Sequence, residues 1–184
     1  ADHLEHQMLP LTAWGNEYIA GPAPAPGNAA NDNRAGYRIT GAYDGTSLIY
    51  SGTTPPGAPS VINAYETVRF EANSGFSGRS ADPTKSFALT EFLLSNQAIA
   101  GTFGQDGDPA MIAIPAAAQY QDRSVFATPA GYGSNFVTIY RRAGTPIELD
   151  GLELAGTWKP AGQIAGASWE FTHRHLGVGS HVVR

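Results

Sequence analysis

The chain has 184 residues, of which Gly 22 and Pro 13 make up nearly a fifth, while only 15% are charged and the net charge is -5. This mild acidity excludes the basic footprint of a nucleic-acid binder or an anionic-membrane binder, and no apolar run approaches the roughly 18 residues of a spanning helix. With Cys 0 there is no disulfide framework, thiolate metal site or cysteine nucleophile.

Ala1–His6 lacks the basic region and apolar core of a signal peptide. Beyond it, short alternating or apolar runs recur between turn residues, the pattern of an all-β chain. Strands are expected at Tyr18-Ile19, Tyr37–Tyr43, Ser47–Tyr50, Thr67–Ala72 and Ser86–Leu94. Further on they are expected at Met111–Ile114, Ser124–Ala127, Phe136–Tyr140, Ile147–Leu149, Ser168–Thr172 and His181–Val183. Asp44-Gly45 and Asp150-Gly151 supply the positive φ angles of tight hairpins. Only Ala88–Gln97 and Ile114–Gln119 offer short helices as an alternative, and Pro115 limits the second. The longest irregular stretch, Gly21–Gly36, reads as a Pro/Gly-rich insertion: a binding loop or a solvated one.

The chain resembles itself. Tyr37–Gly52 lies over Phe136–Gly151 without a gap, matching Gly45-Thr46 to Gly144-Thr145, Leu48 to Ile147 and Gly52 to Gly151. Tyr18–Pro22 lies over Val125–Pro129, and Val68–Phe70 over Trp169–Phe171. Ordered agreement over several segments predicts two related antiparallel β-sandwich-like units, residues 1–97 with the insertion at 21–36, and residues 98–184. Tyr37 and Phe136 are then expected at equivalent core positions. The second unit has no counterpart of Phe87–Leu94 before Arg184, so it is expected to lack its last strand and to offer an open sheet edge for self-association or a donated strand.

The run Leu9-Pro-Leu-Thr-Ala-Trp-Gly-Asn-Glu-Tyr-Ile19 resembles the opening of the N-terminal domain of IgG Fc-binding proteins and their bacterial relatives. Gly107–Ile112, Gln119-Tyr120, Val125–Pro129, Tyr132–Ile139, Asp150-Gly151 and Gly179–His181 follow in matching order. The resemblance implies a β-rich, extracellular or cell-surface module acting in adhesion, protein binding or assembly. It brings no catalytic residues.

The residues themselves offer several candidates for chemistry. His173 and His175 alternate on a strand and so share a face; with His181 they form a candidate metal set, although a structural site normally needs four ligands. Asp106-Gly107-Asp108 is a fragment of a calcium loop without its distal Glu, and otherwise reads as a turn. Gly107-Asp108-Pro109 begins the self-cleaving sequence of mucin-type domains, but Ala110 replaces the His, so no cleavage is expected. Gly166-Ala-Ser-Trp-Glu170 fails the nucleophile-elbow pattern, and no phosphate or dinucleotide loop is present. Trp14 and Trp158 are the candidate binding aromatics, whereas Trp169 alternates with Phe171 and reads as core. No enzyme activity and no cofactor are expected. The partner is a protein or a glycan, with no nucleic acid and no membrane insertion. The rival reading is a carbohydrate-active sandwich, because facing carboxylates are the only requirement of a glycosidase.

Overall fold

The computed structural model describes residues 7–24, 34–94, 110–132 and 135–184. These form an all-β fold of four antiparallel sheets. The strands are β1 Glu17–Ala20, β2 Ala35–Gly41, β3 Thr46–Gly52, β4 Val61–Ile62, β5 Thr67–Ala72, β6 Phe76–Ser80, β7 Phe87–Leu93 and β8 Ala110–Ala113. They continue as β9 Ser124–Thr128, β10 Asn135–Arg142, β11 Glu148–Leu149, β12 Leu152–Glu153, β13 Lys159–Ile164, β14 Ala167–Leu176 and β15 Gly179–Val183. The strand alternative holds at β7. At Ala117–Gln119 there is a single 3-10 turn, with Pro115 just before it. The Asp106–Pro109 motifs and the junction between the two expected units lie outside the described residues.

Sheet β1-β6-β3-β4 is the middle layer. Tyr18 and Ala20 of β1 point one way, with Phe76 of β6, into a core with Tyr37, Ile39, Phe70, Phe87 and Leu89 from sheet β5-β2-β7-β8. Ile19 points the other way, into a second core with Ala161, Ile164 and Phe171 of sheet β10-β14-β13. Alternation of side chains normally buries one face of a strand; here both faces are covered, so β1 reads apolar at consecutive positions. The outer layer approaches closely. Ser77 Oγ donates to the Gln163 carbonyl at 2.8 Å, and Gly162 presses against Ser51 and Ser77.

The order of pairing runs in parallel in the two halves. β1 pairs with β6, β6 with β3 and β3 with β4; likewise β9 pairs with β15, β15 with β11 and β11 with β12. β2 pairs with β5 as β10 pairs with β14. On its other side β2 carries β7, whereas β10 carries no strand among the described residues.

Residue equivalence is less simple than the gapless match suggests. Tyr37 is 1% exposed and Phe136 is 52% exposed, so the two do not share a core position. Tyr37 is cross-strand from Phe70, their rings stacked 5.6 Å apart; the matching aromatic pair in the second half is Tyr140 with Phe171, at 6.0 Å. An aromatic at the start of a strand does not reveal which face it takes, because a shift in register moves it to the other side.

Candidate functional site

β10 is eight residues long and, among the described residues, lies at the edge of its sheet. The other edge strands are shorter: β5 has six residues, β9 five, β1 and β8 four, β4 and β12 two. β13, also six, carries Pro160 and a register shift between Pro160 and Gln163, both of which block pairing. β10 has neither device. Its sequence, Asn135-Phe-Val-Thr-Ile-Tyr-Arg-Arg142, is rich in the residue types that favour strands. Phe136 stands exposed on it, edge-on to His175 across the pair at 5.3 Å.

His173 and His175 do share a face of β14, as their spacing requires, but different neighbours take them. His173 is held by Thr138 Oγ1 at 3.0 Å, and burial lowers its pKa to about 4, with Lys159 adding to the effect. Its Nε2 is buried without a full hydrogen bond, although the nearby Pro22 carbonyl favours a proton there. Such an imidazole is neutral near pH 7. His181 is not brought to the pair. It lies on β15 in another sheet, its Nδ1 2.7 Å from Asp150 Oδ2 and its Nε2 3.2 Å from Thr128 Oγ1. Among the described residues no three His, Cys, Asp or Glu side chains gather into a metal cage.

The group Thr128, His181 and Asp150 was not legible from spacing, and it superficially resembles a hydroxyl–imidazole–carboxylate relay. The hydroxyl is already committed, however. It donates to the Gly177 carbonyl at 2.6 Å and accepts the Gly179 amide at 3.1 Å. Asp150 raises the pKa of His181 above its ordinary value, its other oxygen taking the Val182 amide at 2.8 Å. The arrangement pins the β14–β15 turn and the β11–β12 hairpin to one another. Because the folded pKa is raised, the pin contributes fully below the unfolded pKa of about 6.5 and fades as pH rises through the folded value. The protection factor of the Val182 amide, its exchange rate relative to the intrinsic rate at the same pH, is therefore expected to fall over that window, and Asp150→Asn is expected to abolish that fall, both read by hydrogen exchange.

The two candidate tryptophans have different partners. Trp14 is half-buried and its indole N–H donates to the Leu9 carbonyl at 2.8 Å. Trp158 is half-buried beneath the Arg141 guanidinium, 3.7 Å from the ring centroid, while Arg141 also grips Glu170 at 2.7 Å. Trp169 packs against the second core, edge-on to Tyr120.

Sequence reasoning also missed Glu91. It lies on β7 opposite Tyr37 and is 8% exposed. Its Oε1 accepts the Ala23 amide at 2.8 Å and stands 3.4 Å from the Tyr37 hydroxyl. Tyr140 both accepts from the Gly21 amide and donates to its carbonyl. The first residues of the Pro/Gly-rich stretch are thus gripped from two sheets.

These features define an all-β module whose longest edge strand among the described residues is β10. Comparison with known families matches residues 1–184 to the family described as IgGFc binding protein, and the chain belongs to that family. No curated protein and no solved structure matches. No helix among the described residues is long and apolar enough to cross a membrane.

Proposed function

We propose that this protein is a non-catalytic extracellular or cell-surface module, composed of two related β units at 1–97 and 98–184, that binds protein partners by accepting an extended segment on the free edge of β10. The observation that carries the reading is the eight-residue edge strand itself, which no strand covers among the described residues. Proteins that stay monomeric usually shorten, charge or kink such edges, because unpaired N–H and C=O groups recruit another strand. The parallel pairing order of the two halves describes the occupant: where β2 carries β7, β10 would carry an antiparallel, alternating apolar segment of similar pattern. The family's description points to a protein partner. The half-buried, separated Trp14 and Trp158 favour protein over glycan, since sugar stacking needs open ring faces.

The test uses the full chain and a synthetic peptide of the sequence Ser86–Leu94. In the free protein, β10 amides are expected to exchange faster than β2 amides. Peptide addition is expected to protect Phe136–Tyr140, and a peptide with proline at its centre is expected to fail. Slow exchange along the whole free β10 strand, or equal binding of the proline peptide, would sink the reading.

A further inference from the structure

A second surface lies on the opposite side of the molecule's first core. On β2, Tyr37 and Ile39 point inward, which sends Arg38 and Thr40 outward. Arg38 is directly opposite Arg69 of β5, and like charges so placed repel. The ion pairs among the described residues are Arg34–Glu71, Arg141–Glu170, His181–Asp150 and Arg184–Glu148; none involves Arg38 or Arg69. Arg38 Nε is buried without a hydrogen-bond partner. Both guanidiniums lie over the Phe92 ring, 4.8 and 6.0 Å from its centroid. Ring contact offsets part of the cost of crowding two cations, but it satisfies none of their in-plane donors.

These side chains floor a groove of about 560 Å³, with Met8, Leu9, Trp14 and Met111 among its apolar walls. That volume falls in the range of roughly 300–1,000 Å³ typical of small-molecule sites, which are mostly apolar with a few convergent polar groups. The protein as a whole carries a net charge of -5, so a cation pair with no ion-pair partner among the described residues is the exception on its surface. An anion between the two guanidiniums removes their repulsion and supplies the missing acceptors.

We propose that this groove binds a small amphiphilic carboxylate, with the carboxylate between Arg38 and Arg69 and the apolar body along Phe92 and Trp14. The proposal does not depend on the β10 edge. Phenylbutyrate is the probe, with phenylbutanol as its neutral analogue and inorganic phosphate as an anion without an apolar body, each titrated into the full chain by calorimetry. Phenylbutyrate is expected to bind, and both comparison compounds to bind roughly tenfold or more weakly. The double substitution Arg38→Gln with Arg69→Gln is expected to weaken phenylbutyrate by roughly tenfold or more. It should not lower the melting temperature, because it relieves a repulsion. Arg123→Gln, exposed and away from the groove, is expected to change nothing. No saturable phenylbutyrate binding, or binding unaffected by the double substitution, overturns the proposal. Equal binding of phenylbutanol overturns the role of the arginines, and equal binding of phosphate overturns the apolar body.

Discussion

Replacing Glu91 with Gln is expected to stabilise the protein at pH 8 by about 3 kcal/mol and to leave it nearly unchanged near pH 4.5. Glu91 is pushed up to about 7 by burial, with the Ala23 amide and the Tyr37 hydroxyl only partly opposing the rise. Its ordinary value is 4.5. The native state therefore holds the proton more tightly than the unfolded chain, and the two differ in protonation between about pH 4.5 and 7. Stability from this group falls as pH rises through that window, and the full cost of a buried carboxylate is reached above it. Among the described residues no cation compensates. The groups nearest to it are Tyr37 and Tyr140, both held neutral by burial that drives their own pKa values well above 10. Gln keeps an Oε1 acceptor for Ala23 and never ionises. Denaturant unfolding of both proteins across this range checks the prediction, and parallel stability curves would contradict it. The consequence reaches the Pro/Gly-rich stretch, because the Ala23 amide loses its acceptor if an ionised Glu91 turns toward water.

How much of this was legible in the sequence depends on the range over which each feature is determined. Local chemistry was readable. Asp150-Gly151 predicts a tight hairpin, and φ values of 54° and 82° place both residues in the left-handed region of a two-residue turn between Leu149 and Leu152. The shared face of His173 and His175 follows from spacing alone. By contrast, β13 reads as a loop because Pro160 and Gly162 break its pattern; as an edge strand with a bulge it tolerates both. The Asp150–His181 contact joins residues 31 apart, and Arg38 meets Arg69 only through the register of β2 on β5. Such contacts depend on pairing partners that periodicity does not specify. Phe136 shows the same limit from the other side: the residue match was gapless, yet which face it occupies was set by register and by the cores available. Glu91 gives no local sign of its burial, because nothing in the neighbouring sequence signals that β8 and the segment at Gly21–Ala23 enclose it.

Gly162→Ala is expected to cost about 3 kcal/mol or more, against about 1 kcal/mol for Gly166→Ala. Both glycines have positive φ, 89° and 79°, so an L side chain is strained at either place. They differ in their surroundings. A Cβ at Gly166 meets nothing within 4 Å, whereas at Gly162 it runs into the Ser51 carbonyl and comes within 2.6 Å of Ser77 Oγ and 2.8 Å of the Ser77 amide nitrogen. Those atoms belong to β3 and β6, so relief requires moving the backbone of the middle sheet or lifting β13 from it. The difference between the two variants thus measures the close approach of the layers, separate from the shared strain in φ. Denaturant unfolding followed by Trp fluorescence provides the comparison. Trp158 and Trp169 flank β13 in sequence, and Trp169 packs on the second core. If Gly162→Ala splits a single transition into two, the glycine contact is what makes sheet β10-β14-β13 unfold together with the first core. If it costs no more than Gly166→Ala, the layers are held by Ile19, Ala161, Ile164 and Phe171 instead, and the close approach of the backbones is incidental.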